Sequence, residues 1–440
     1  MWLFLTKWRV LIALSLMLSL NCIATTPNLV LGVDRDSVYG PLLAGKNVAL
    51  MVNQSSINEQ GVHTIDKLLA EQQKYNFRII KLFSVEHGLR GNEEAGFGDN
   101  DRVDVKTGLP IISLYGRDSH GRERANPTEE QLSNIDIVIY DLQDVGVRYF
   151  TYTVSMHYLL ESLQKYQKEL MIFDRPNPLG QYVYGPILKE PYISGIGIDP
   201  VPMVHGLTSG EFANMMVNEG WLTNFDHRSW QYHQQKSYQF PPDALFIIKM
   251  ENYQQDMVYS LPIAPSPNLK TDLAISLYPS LGFFEATSVN SGRGSDYPFE
   301  QIGFSDPRFY VNATYSVSDT ISKGGWPQAG KTVYGEKIST AESPTVKYFV
   351  DWWFKFQEHG YTLVVSPDEE KNYLTHQQCC FISRPQWLAK VTGDNKLLQQ
   401  LLFATEQGLN RTQTISMIEQ SWQLELADYY QLRDKYRLYP

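Results

Sequence analysis

The 440-residue sequence predicts an α/β protein in two units. A parallel sheet with helices on its faces occupies residues 25–245, and a smaller α/β unit occupies 246–440. Two observations predict this. Apolar runs of strand length alternate with amphipathic helical stretches through the first half, the pattern of strands joined by helical crossovers. The chain is also longer than one hydrophobic core usually serves, so two domains are the natural expectation.

In chain order, the first element is a targeting segment. Lys7 and Arg9 precede Val10–Leu20 (VLIALSLMLSL), an uncharged run too short to span a bilayer and of the length of a secretory h-region. Cys22-Ile23-Ala24 offers small residues for cleavage before Thr25, so residues 1–24 read as a signal peptide. Lipidation at Cys22 is the alternative. Either way the chain is expected outside the cytoplasm, periplasmic or secreted. Past that segment only Cys379 and Cys380 remain, adjacent, which gives no disulfide framework and no C-x-x-C metal pattern. A formal net charge of −10 argues against nucleic acid as a partner.

The strands expected in the first unit are Asn47–Gln54, Phe77–Glu86, Leu109–Gly116, Ile135–Gln143 and Glu169–Asp174. Ile65, Leu68 and Leu69 fit one intervening helix. Met156, Leu159, Leu160 and Leu163 repeat at helical spacing and mark another. Thr128 and Gln131 have the spacing of a capping box, as do Thr208 and Glu211, so Glu211 reads as a cap rather than a catalyst.

Each strand stops in groups that bind ligands or move protons: Asn53, Glu86-His87, Tyr115, Asp141 with Gln143 and Asp144, and Asp174-Arg175. Parallel strands put these ends on one edge, the usual place for a ligand site. Ser84–Gly91 (SVEHGLRG) is the richest turn, with Glu86, His87 and Arg90 packed into five residues around Gly88; His205 could add a donor. Several competing chemistries are missing. No G-x-G-x-x-G follows the first strand and no Walker A occurs, so no cofactor is expected. Gly206–Gly210 is not a nucleophile elbow, because Thr208 sits where serine belongs. A metal held by Glu86, His87, Asp141 and Asp174 stays open, since its ligands would come from separate strands.

In the second unit, Ala244–Met250 reads as a strand and Pro262–Asn268 (PIAPSPN) as a proline-rich loop. Phe283–Ser295 (FFEATSVNSGRGS) then combines Glu285 with Arg293, an arginine between glycines that can grip a carboxylate as a fork. Residues 324–343 show no clear period. Phe349–Phe356 and Leu397–Ala404 read as helices. Ile415, Ile418, Trp422, Leu426, Tyr429, Leu432 and Tyr436 predict a long terminal helix.

The segments VNQSS, SVEHGLRG, SLYG, YDLQDVGVRYFTY, FDRPNPLG, HGLTSGE, PSPN and FEATSVNSGRGSDYPF follow one another across about residues 30–303, and RDKYRLYP closes the chain. In this order and spacing the chain resembles the exo-β-N-acetylmuramidases of the NamZ type, formerly a domain of unknown function. The resemblance implies a Rossmann-like domain joined to a smaller α/β domain, with the site in the cleft between them. It also implies release of N-acetylmuramic acid from the non-reducing end of peptidoglycan fragments. It makes Glu86 and Glu285 the paired carboxyl groups that glycoside hydrolysis usually needs, with His87 beside them. Arg90 and Arg293 become candidates for the lactyl carboxylate. Arg148 and Asn268, inside two of the shared segments, join the candidate substrate-binding residues. Val85, Ala286 and Ser295 stand where the family usually has Pro, Gly and Thr. The match fades between about 304 and 400, on the side that would hold the leaving group. The competing readings are a muropeptide- or sugar-binding protein without turnover and a metal-dependent hydrolase.

Overall fold

A computed structural model describes residues 28–91, 93, 98, 100–117, 124–222, 225–226, 231–232, 240–319, 325–366 and 380–440. The segment 1–24, read above as a signal peptide, and Cys379 lie outside the described residues.

The first unit is built on β1 (Asn47–Val52), β2 (Arg78–Ser84), β3 (Arg102–Val103), β4 (Pro110–Ser113), β5 (Ile137–Asp141) and β6 (Glu169–Phe173). β7 (Tyr184–Ile187) and β8 (Pro202–Val204) form a small antiparallel pair, as do β9 (Phe225–Asp226) and β10 (Gln231–Tyr232). β11 (Leu245–Ile248) returns to the main sheet, whose order is β11-β6-β5-β1-β2-β4-β3. Every pairing in it is parallel except the edge strand β3. β1 and β5 are apolar almost throughout because both their faces are covered. Helices Thr64–Tyr75 and Tyr152–Lys165 carry the expected apolar faces, and both capping boxes form, at Thr128 and at Thr208. β11 pairs with β6 from Leu245 to Ile248, so the sheet runs past the boundary expected at 245/246.

The second unit holds β12 (Gln301–Phe304), β13 (Ala313–Ser316) and β14 (Thr332–Lys337) in an antiparallel sheet ordered β12-β14-β13. β15 (Thr362–Val364) pairs in parallel with β16 (Cys380–Ile382). The helix expected at 349–356 runs over Lys347–Glu358 and buries Phe349, Trp352, Trp353 and Phe356. These rings meet Phe284, Phe309 and Phe381 in a mostly tilted and edge-on cluster. Each such side chain contributes roughly 1.5–3 kcal/mol when fully buried. The cluster gives the turn that carries Glu285 a rigid floor.

The terminal helix, Arg411–Arg433, opens with a capping box at Asn410 and leans on the first unit. Trp422 packs edge-on against Tyr184, and the Tyr429 hydroxyl donates to the His205 carbonyl at 2.8 Å. The chain end docks there too: Tyr439 donates to Asp174 at 2.6 Å, and the Leu438 N–H donates to Glu211 at 2.7 Å. These contacts hold the two units together around the cleft described next.

Candidate active site

Glu86 leaves β2 on a turn that most side chains resist. His87 (φ 70°) and Gly88 (φ 73°) both lie in the left-handed region. For a non-glycine residue that conformation costs roughly 1–3 kcal/mol and is kept only when its surroundings enforce it. Here the His87 ring donates from Nδ1 to the Glu93 carbonyl at 2.8 Å, and the Glu93 N–H donates back to the His87 carbonyl at 3.2 Å. The Glu86 carboxylate faces two hydroxyls, one just past β4 and one at the start of helix Tyr152–Lys165. Thr151 donates to it, and Tyr115 bonds to it as well. Burial first, and the Glu86 charge second, push the Tyr115 phenol well above its ordinary range, so it stays protonated.

Glu285 approaches from the second unit, in the tight turn Gly282–Ala286 that follows helix Asp272–Leu281. Arg293 donates to it at 2.8 Å. The Arg293 guanidinium also lies 4.2 Å from the Trp326 ring centroid, a cation–π arrangement. A Cβ on Gly294 would fall 2.6 Å from Trp326, so the loop needs glycine to let the indole close over the arginine. Tyr149, from the loop after β5, donates to the carbonyls of Tyr278 and Pro279 and so ties the first unit to the helix that precedes Glu285.

Glu86, His87, Tyr115 and Thr151 of the first unit line a cleft of about 420 Å³. Glu285, Arg293, Trp326, Arg384 and Trp387 of the second unit line it too, as do Asn268 and Ser266. Of the residues singled out from sequence, the cleft brings together Glu86, His87, Tyr115, Asn268, Glu285 and Arg293.

The other candidates stand outside that lining, each engaged elsewhere. Asp141 takes Arg175 through two bonds (2.5 and 2.9 Å) and also accepts from Thr64, so the pair is an internal strut. Asp174 accepts from Thr208, the Gly210 N–H and Tyr439. Asn53 braces Ser55 and donates to Tyr152. Gln143 donates to the carbonyls of Asp144 and Pro176. Asp144 accepts from the Gly146 N–H at 2.6 Å, with the buried His205 ring 3.5 Å away. Arg90 pairs with Asp104 at 2.8 Å. Arg148 is buried and donates to the carbonyls of Pro186, Val201 and Val391; burial pulls its guanidinium down to about 10. Asp141 and Asp174 are thus tied up away from Glu86 and His87. Among the described residues no three His, Cys, Asp or Glu side chains group as metal ligands.

Sequence reasoning passed over Thr151, Trp326, Arg384 and Trp387. Thr151 lies inside a segment already singled out, just before the helix marked by Met156, Leu159, Leu160 and Leu163. The other three lie between 304 and 400, where no motif was read from sequence, although the C-terminal family model reported below covers them. The Arg384 guanidinium is 4.5 Å from the Trp387 ring centroid and 3.5 Å from the Glu285 carbonyl oxygen.

Two models of the exo-β-N-acetylmuramidase NamZ match the chain, the N-terminal one over residues 48–273 and the C-terminal one over 276–439. The chain belongs to the NamZ family. The first model carries Glu86 and Asn268 of this NamZ family member, and the second carries Glu285, Arg293 and Arg384. Their junction lies beyond β11, in keeping with that strand's place in the first sheet. The chain is 35% identical over 292 residues to the peptidoglycan β-N-acetylmuramidase NamZ of Bacillus subtilis (strain 168), covering 65% of this chain and 64% of that relative. The crystal structure of a DUF1343 family protein from Bacteroides fragilis is similar across 94% of this chain and 99% of that one, with a TM-score of 0.71 and 30% identity. A second DUF1343 structure from the same organism has a TM-score of 0.69 at 22% identity, over 94% and 99% of the two chains, and shares the fold.

Proposed function

We propose that this NamZ family member is an exo-acting glycoside hydrolase that releases N-acetylmuramic acid from the non-reducing end of peptidoglycan fragments. The observation that carries the reading is the meeting of Glu86 and Glu285, one from each unit, in a single cleft beside Arg293. Glycosidic cleavage needs one carboxyl group to protonate the leaving oxygen and a second to meet the developing positive charge or activate water. Glu86, set by the Thr151 and Tyr115 hydroxyls, is the proton donor in this reading. Glu285, with Arg293 as its counter-charge, is the second carboxylate. A sugar seated between them has its lactyl carboxylate within the province of Arg293, and Trp326 and Trp387 offer flat faces for the rings.

The reading includes export. Its support is the basic start, Lys7 and Arg9, followed by the apolar run Val10–Leu20.

The test is product analysis on an N-acetylmuramyl-β-1,4-N-acetylglucosamine disaccharide and on longer glycan strands. Free N-acetylmuramic acid appearing from the first minute, with each strand losing only its terminal muramyl residue, fits the proposal. Internal cleavage of strands, or no product from folded protein, contradicts it.

A further inference from the structure

Asn268 keeps only 8% of its surface exposed, lines the cleft, and leaves its side-chain Nδ2 buried without a hydrogen-bond partner. A buried amide donor with no acceptor is unfavourable unless something else supplies one. The position is also held firmly. Its N–H donates to Ser266 Oγ at 3.3 Å, and the Leu269 N–H closes back on the Ser266 carbonyl at 3.2 Å. The preceding residues are fastened to the strand ends of the first unit. Gln54 Nε2 donates to the carbonyls of Ala264 and Pro265, and the Tyr152 hydroxyl donates to the Pro265 carbonyl. The backbone that carries the Asn268 side chain is thus fixed at the cleft.

The cleft has a second buried donor in the same condition, Arg293 Nε. The two differ in kind. A guanidinium is matched by a carboxylate. A neutral carboxamide N–H is matched by a neutral carbonyl, because seating a full charge against it leaves that charge uncompensated. A muramyl sugar presents one group of each type on neighbouring carbons, a lactyl carboxylate and an acetamido carbonyl.

Resting on the function proposed above, we infer that Asn268 is a specificity-determining residue that donates from Nδ2 to the acetamido carbonyl of the bound sugar. It selects N-acylated sugars over those with a free amine, as Arg293 selects for the acid.

The test compares kcat/KM for two β-linked chromogenic muramyl substrates, one N-acetylated and one with a free 2-amino group. Wild type, Asn268→Ala and Asn268→Asp are measured, with melting curves to establish folding. Wild type is expected to prefer the acetylated substrate. In both variants that preference should fall at least about tenfold, through loss on the acetylated substrate with the amino substrate little changed. A parallel fall on both substrates, with the preference intact in whichever variant is folded, overturns the inference. An inactive but folded wild type would instead remove the functional reading on which it rests, so the two failures are distinguishable.

Discussion

The Thr151 hydroxyl donates to the Glu86 carboxylate, joining the loop after β5 to the loop after β2. The contact fixes one oxygen of the proposed proton donor. Thr151→Val keeps the shape and removes the bond. A hydrogen bond to a neutral carboxyl contributes roughly 0.5–1.5 kcal/mol, so kcat should fall between about twofold and tenfold with KM little changed. Thr151→Ser should restore most of it. Steady-state kinetics of the two variants check this; equal losses in both would show that the hydroxyl is not what matters.

Arg293 is expected to bind by shape as well as charge. It donates one bond to Glu285 at 2.8 Å while Trp326 covers its face at 4.2 Å. Arg293→Lys keeps the positive charge but loses the planar guanidinium and its stacking. On a muramyl substrate kcat/KM should drop by more than about tenfold, the size of one charge-assisted bond. On a substrate lacking the lactyl group the two proteins should differ less. A lysine variant with wild-type kinetics would argue that charge alone suffices.

Gly282 sits where helix Asp272–Leu281 turns towards Glu285. A Cβ there would lie 2.5 Å from the Tyr149 hydroxyl. Gly282→Ala must therefore displace Tyr149 from the Tyr278 and Pro279 carbonyls or shift the turn itself. Overpacking of this kind destabilises by roughly 1–3 kcal/mol. Activity should fall further than the melting temperature suggests, because the displaced turn carries Glu285. Unchanged kinetics with an unchanged melting temperature would show that the contact yields freely.

Two buried groups should make the fold less stable as pH rises. Burial raises Glu211 from 4.5 to about 7. Between those values the folded chain holds a proton that the unfolded chain has lost, so stability declines with rising pH across that window. His157 lies between Asp199 (2.8 Å) and Glu161 (3.4 Å). Burial opposes its charge, but the two carboxylates outweigh burial and push it up to about 10 from 6.5. Its contribution is complete below pH 6.5 and disappears as pH climbs through 10. Melting temperature should thus decrease from pH 5 to pH 9. Glu211→Gln should flatten the lower part of that slope and His157→Asn the upper part. Slopes identical to wild type in both variants would refute the assignment.

The main elements were legible because their causes are local. The apolar runs at 47–54, 77–86, 135–143 and 169–174 became β1, β2, β5 and β6, and the capping boxes at Thr128 and Thr208 formed where their spacing placed them. What the strand ends do was less legible. A polar residue after a strand looks the same in sequence whether it faces a ligand or a partner from its own chain. Asp141 meets Arg175, Asp174 meets Tyr439 from the far end of the chain, and Arg148 is satisfied by carbonyls of Pro186, Val201 and Val391. These pairings span 34 to 265 positions for the carboxylates alone, and no local pattern announces them. Trp326, Arg384 and Trp387 were missed for a related reason. Trp326 reaches the cleft from the loop that precedes β14, and Arg384 and Trp387 from the start of helix Pro385–Thr392, placements that no local pattern announces.

The most direct measurement is kcat on a β-linked chromogenic N-acetylmuramyl substrate and its N-acetylglucosaminyl counterpart, for wild type and Glu86→Gln, with melting curves alongside. Glu86 lines the same cleft as Glu285 and Arg293. Release from the muramyl substrate alone, lost by a factor of at least about a hundred in a fully folded variant, is the predicted result. Wild-type turnover by folded Glu86→Gln would contradict the account at its centre.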